Sequence, residues 1–217
     1  MQKWIRRLGR FSKHFLVRLP DPETIVRLMP QTFKDCGLGS VLLVGDCTDI
    51  ATEGCTESVL TSSEMHSDKT KHAVAMGLAW VTPNGFVAVA TDLFCGRTSE
   101  QEACKACATV LNKIPGKYAL MYDKVVAKLQ VHLQNLNQVI TPCFLRKQKR
   151  FSVAQGCRNR GVTSNRYIAE LPFARAKSWG FLGGVVPSED AHMLNDVWWW
   201  TLGFQNLCHP DLKPPAV

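Results

Sequence analysis

Runs of apolar residues, broken by turn signals, divide the chain into short elements. Val41-Leu42-Leu43-Val44 reads as a buried strand, and two carboxylates, Asp46 and Asp49, follow it. A strand that delivers an acid at its end fixes that group as rigidly as a metal ligand or catalytic carboxylate requires. The plainer reading is an aspartate that opens a turn. Residues 71–81 form a second apolar run, Thr82-Pro83-Asn84-Gly85 is a strong hairpin turn, and residues 86–90 return. The pattern predicts an antiparallel meander of three strands. A further short strand, 118–122, again ends on an acid, Asp123.

Helical signals fill the rest. Asp21 or Pro22 opens a helix over 23–29, which Pro30 stops. Ser99 with Glu102 three residues later has the form of a capping box and predicts a helix over 100–111. Residues 125–136 can form another. The segment 165–177, which contains a third acid, Glu170, is expected to be helical in part, and 51–67 is expected to be loop with extended pieces. Near the start, Trp4, Leu8, Phe11, Phe15 and Leu16 recur at helical spacing, while Arg6, Arg7, Arg10 and Lys13 fall mostly on the other side. This predicts a helix that packs on the domain through its large aromatics. A mitochondrial presequence is the alternative reading.

Composition narrows the class. The 217 residues, 46% apolar and 20% charged, suit one globular domain with a sizeable core, or at most two small ones. A net charge of +8 points to a polyanionic partner, nucleic acid first and a membrane surface second. No apolar stretch is long enough to span a bilayer. Nine cysteines, an odd number with no secretory signal before them, favour a reduced intracellular chain over a disulfide framework. Cys104 and Cys107 form a lone CxxC, which reads as one face of a helix rather than a zinc site. Trp198-Trp199-Trp200 reads as the buried side of a closing helix, although such rings can also stack on bases. The run Arg146-Lys147-Gln148-Lys149-Arg150 is a candidate phosphate contact.

Asp46, Asp123 and Glu170 make a candidate set. Three carboxylates brought together by two strands and a helix would bind two divalent ions and drive phosphodiester chemistry, one ion serving the attacking oxygen and the other the leaving one.

The motifs around these acids extend the pattern. Gly45-Asp46-Cys47-Thr48-Asp49-Ile50, Ser67 to Lys71 with His72-Ala73-Val74, the Thr82–Gly85 hairpin, Gly96-Arg97-Thr98-Ser99-Glu100 and Leu120-Met121-Tyr122-Asp123-Lys124 follow one another in order. Arg166, Glu170, Arg175 and Lys177 complete the series, with Leu28-Met29-Pro30 and Phe33 upstream and Asn206-Leu207 at the end. In this the chain resembles the PIF/Harbinger-type transposases of the DDE superfamily. The resemblance implies an α/β fold with an RNase H-like mixed sheet flanked by helices. It also implies metal-dependent DNA cleavage or strand transfer, with Asp46, Asp123 and Glu170 as catalytic ligands of Mg²⁺ or Mn²⁺. DNA would be the substrate, contacted by Arg146, Lys147, Lys149, Arg150, Arg175 and Lys177. A separate Myb-like protein would supply DNA recognition and import into the nucleus, and no membrane is involved.

The expected division is an N-terminal helical segment, 1–35, and a catalytic domain, 36–210. Several positions depart from the family pattern. Glu100 stands where the family has Asp, Ala75 where it has Lys, Leu171 where it has Arg and Val125 where it has Gly, and Pro172 lies inside the third-acid segment. Proline costs roughly 3 kcal/mol in a helix interior but little in the first turn. These departures predict ion binding with reduced cleavage. The second reading is a non-catalytic nucleic-acid-binding protein derived from a transposase. The third, suggested by the basic N-terminus alone, is a mitochondrial matrix protein.

Overall fold

The computed structural model of the chain describes residues 2–54, 63–67, 69–123, 133, 138–143, 145 and 150–208. The chain folds as an α/β protein of RNase H-like type, a mixed six-stranded sheet with helices on both faces. The strands are β1 (Val41–Ala51), β2 (Val74–Val81), β3 (Val87–Ala90), β4 (Phe94–Cys95), β5 (Ala119–Met121) and β6 (Gln138–Ile140). They lie in the order β3-β2-β1-β5-β6, with β4 paired to β2. β1, β2 and β3 form the expected antiparallel meander, whereas β5 and β6 run parallel to β1. At the β2–β3 turn Gly85 takes φ +88° and donates its N–H to the Thr82 carbonyl at 2.8 Å. That angle is closed to most side chains.

The first strand is longer than its apolar run. It does not stop before the acids but continues through Asp46 and Asp49 to Ala51, because β2 pairs with it along that whole length, from Val44↔Val81 to Ala51↔Val74. The last β1–β5 pair is Val44↔Met121, so β5 ends beside the point where the acids begin. The second strand begins at Val74 rather than 71.

Every residue of β2 is buried, as expected for a strand covered on both faces. One face of the sheet carries Val44, Ile50, Ala79, Val81 and Met121 against Phe173, Leu194 and Trp198. The other carries Leu43, Leu78, Trp80 and Tyr122 against Ala103, Cys104 and Leu111. The helices of the second face are α4 (Glu100–Ala106) and α5 (Ala108–Leu111), the expected 100–111 helix divided by a tight turn at Cys107. Ser99 and Glu102 form the capping box. Cys104 and Cys107 are buried in this layer, where burial pushes each thiol up to about 12.

At the N-terminus, α1 (Gln2–Phe11) continues into a π turn over Ser12–Leu16, followed by the short helices α2 (Pro22–Arg27) and α3 (Gln31–Asp35). Asp21 caps α2 by accepting from the N–H groups of Glu23 and Thr24. α1 packs on the long closing helix, Ala191–Cys208. The expected contact face is wrong, however: Trp4, Phe11 and Phe15 are exposed, at 64%, 47% and 63%. Close approach decides this. A Cβ on Gly9 would lie 2.5 Å from the Asp196 carbonyl oxygen, and one on Gly203 would lie 2.5 Å from Ser12 Cβ. The backbones meet through small residues, which leaves the aromatics on the neighbouring stripe. In the closing helix Trp198 and Trp199 are buried, and Trp198 stacks on Phe173 with centroids 6.0 Å apart.

The C-terminal half holds α6 (Val153–Arg166), a 3-10 turn over Tyr167–Ala169, α7 (Glu170–Ser178) and α8 (Gly180–Gly183), with the closing helix as α9. The apolar pattern does not announce α6, but Ser152 and Gln155 form a second capping box at its start. Pro172 is the third residue of α7, not an interior one. It falls in the first turn of α7, where a missing N–H leaves no helix hydrogen bond unmade, a tolerated place for proline. Apart from Leu133, the expected helix over 125–136 lies outside the described residues, as do Val125 and the basic residues Arg146, Lys147 and Lys149.

Candidate active site

β1 alternates, so Asp46 shares the face of Val44 and Ile50, towards α6 and α7. Its position is set by the residue before it. A Cβ on Gly45 would meet both Trp80 Cε3 and Tyr122 Cδ2 at 2.6 Å. The backbone of β1 therefore lies directly on the rings of two neighbouring strands. Trp80 and Tyr122 lean on each other with centroids 5.2 Å apart, and the Tyr122 hydroxyl meets Cys47 Sγ at 3.1 Å. Tyr122 is fully buried and immediately precedes Asp123, so the same ring packing anchors the end of β5 where the second acid emerges.

The third acid comes from the helical layer. Glu170 opens α7 and is exposed, at 61% of its side chain. Between it and the strands stands Arg166, the last residue of α6. Its guanidinium donates to Asp123 Oδ1 at 2.8 Å and lies 3.9 Å from Glu170 Oε1.

The charges bear on one another. Burial pushes the Asp46 carboxyl up to about 6, opposed by the Arg166 guanidinium and the Cys47 N–H and reinforced by Glu170 and Glu100. Burial works against the Arg166 charge, but Asp123, Asp46 and Glu170 outweigh it and hold the guanidinium's proton more tightly than usual. Glu100 is pushed up by burial and then, against the pull of Lys69 and Arg166, by Asp123 and Asp49.

All three candidate acids thus act on one guanidinium. Sequence spacing alone assigns no role to Arg166, although its position four residues before Glu170 on a helix is a readable signal. Glu100 and Asp49, also outside the expected site, border a groove with Lys69, Arg97 and Thr98 beside the acids.

Of the candidate DNA contacts, Arg150 is exposed, and Arg175 and Lys177 are half-buried on α7. Burial lowers the Lys177 pKa, against the charge of Asp49. Among the described residues no set of three His, Cys, Asp or Glu side chains is arranged tightly enough to hold a metal ion. The donor set nonetheless suits a hard divalent cation: oxygen donors alone, one of them a buried carboxyl held against charge formation. No helix among the described residues is long and apolar enough to cross a membrane.

Asp46 thus lies within β1, Asp123 just beyond the end of the parallel strand β5, and Glu170 on a covering helix. The model of the DDE superfamily endonuclease family matches residues 45–206, well over half of the chain. The chain belongs to that family. No curated protein and no solved structure matches it.

Proposed function

We propose that the protein cleaves DNA phosphodiester bonds, as a nuclease or strand transferase of the PIF/Harbinger kind, with Asp46, Asp123 and Glu170 as its catalytic carboxylates. The observation that carries this reading is the pairing of Asp123, at the end of β5, and Glu170, at the start of α7, with one guanidinium, Arg166, whose charge also bears on Asp46 of β1. Mg²⁺ or Mn²⁺ would be held by these carboxylates, and would supply charge for an in-line displacement at phosphorus. The chain's own residues then have separate tasks. Tyr122 and Trp80 fix where Asp46 and Asp123 emerge. Arg175, Lys177 and the run Arg146, Lys147, Lys149 and Arg150 would hold the phosphate backbone.

The division into an N-terminal segment, 1–35, and a catalytic domain, 36–210, belongs to the same reading. So do action in the nucleus and a Myb-like partner for target recognition. Val125, where the family has glycine after Asp-Lys, makes the rate lower than the site would otherwise reach. Pro172 lowers it further, because the helix that holds it opens on Glu170, whose carboxylate is less firmly held there.

Nicking of supercoiled plasmid in Mn²⁺ is the test. Wild type should nick slowly, Val125→Gly faster, and Asp46→Asn and Asp123→Asn not at all. Nicking that survives Asp46→Asn would refute the assignment. DNA binding with no nicking by wild type or by Val125→Gly would favour the non-catalytic reading.

A further inference from the structure

Asp123 and Glu170 both form ion pairs with one side chain, Arg166, and the charge of Asp46 bears on it as well. A guanidinium is a rigid planar fork that can serve two carboxylates at once, which a lysine ammonium does less well. Arg166 is itself largely covered, with 21% of its side chain exposed, while Asp123 and Glu170 reach it from the more open side, at 38% and 61%.

We propose that Arg166 is a positioning residue that stands in for the divalent cation: it holds the Asp123 and Glu170 carboxylates before the ion arrives and gives way when the ion binds. The inference rests on the reading of Asp46, Asp123 and Glu170 as the ion's ligands. Asp123 and Glu170 carry like charges on one guanidinium and repel each other. Without a cation among them the end of β5 and the start of α7 would be pushed apart.

The same geometry sets up a competition. Asp123 Oδ1 accepts from Arg166 at 2.8 Å. A divalent ion bound to that oxygen at about 2.0–2.6 Å would bring two cations into near contact on one acceptor. The guanidinium must therefore leave when the ion binds. Its departure is feasible because the separation from Glu170 is already long, at 3.9 Å.

Competition and support predict opposite results. In the full chain, Arg166→Gln should lower the melting temperature without metal, since the acids lose their counter-charge. It should nevertheless bind Mn²⁺ about tenfold tighter by calorimetry, the factor that releasing roughly one charge-assisted hydrogen bond corresponds to. The rise in melting temperature on adding Mn²⁺ should then exceed that of wild type. Arg166→Lys, which keeps the charge but loses the fork, should fall between the two.

A purely structural arginine would lower stability without tightening ion binding. Equal or weaker Mn²⁺ binding by Arg166→Gln overturns the proposal while leaving the metal site standing. Absence of Mn²⁺ binding in both wild type and Arg166→Gln overturns the ligand assignment, and this proposal with it. If Arg166→Gln does not fold, Arg166→Lys decides: severalfold tighter binding is expected, and unchanged or weaker binding refutes it.

Discussion

Gly45→Ala tests how the site is anchored. The added methyl would sit 2.6 Å from Trp80 Cε3 and 2.6 Å from Tyr122 Cδ2, where carbon contacts normally settle at about 3.5–4.0 Å. Both rings are 0% exposed and lean on each other, so neither can move by the required ångström or so without disturbing the layer beneath. Overpacking of this kind costs roughly 1–3 kcal/mol. Alanine returns about 0.5–1 kcal/mol, because glycine loses more backbone freedom in a strand. Sterics win, by about 1–2 kcal/mol. At roughly 2–4 °C per kcal/mol for a chain of this size, the melting temperature should fall by about 2–8 °C. Tyr122 adjoins Asp123, so displacement of its ring should also weaken Mn²⁺ binding in a calorimetric titration. A Gly45→Ala chain that melts at or above the wild-type temperature would refute the anchoring argument.

Other outcomes follow from the same packing and charges. Folding raises the Asp46 pKa from 3.8 to about 6, so the folded state binds the extra proton between those values. The stability this supplies is complete below about pH 4 and lost as pH rises through 6. Asp46→Asn should accordingly melt above wild type at pH 8 in chelator, with the gap closing towards pH 4; a lower melting point at pH 8 would contradict this. Asn206 ties three backbone groups together, accepting from Val87 N–H and donating to the Val87 and Leu16 carbonyls, each at 2.9 Å. Its replacement by Ala should cost about 3 kcal/mol, at roughly 1 kcal/mol per bond, measured by denaturant unfolding. A cost below a third of that would mean the bonds are replaced by water. Replacing Arg146, Lys147, Lys149 and Arg150 with Ala should flatten the log–log salt dependence of DNA binding by about 0.9 for each phosphate that is no longer neutralised. An unchanged slope would remove that run from the interface.

Where one local signal dominates, the sequence is legible. The meander of β1 to β3 follows from apolar runs and a turn whose glycine needs a positive φ, and α4 follows from a capping box. The first two acids are legible for the same reason, as polar residues that end apolar runs. What is illegible depends on partners. β1 extends through Asp46 to Ala51 because β2 pairs with it there, which no property of residues 45–51 announces. The α1 packing face is misleading because the large aromatics give the stronger pattern, while Gly9 and Ser12 allow the closer approach. α6 mixes glycines with polar residues and shows its start only in Ser152 and Gln155. Arg166 is readable as part of a motif but not as the group the acids converge on, since that needs the ends of β5 and α6 side by side.

The most direct measurement is the anomalous signal of Mn²⁺ in crystals of the protein soaked in that ion. A peak is expected within about 2.0–2.6 Å of carboxylate oxygens from both Asp46 and Asp123, with Glu170 bound directly or through water. Mn²⁺ held elsewhere, or carboxylates of Asp46 and Asp123 that share no ion, would contradict it.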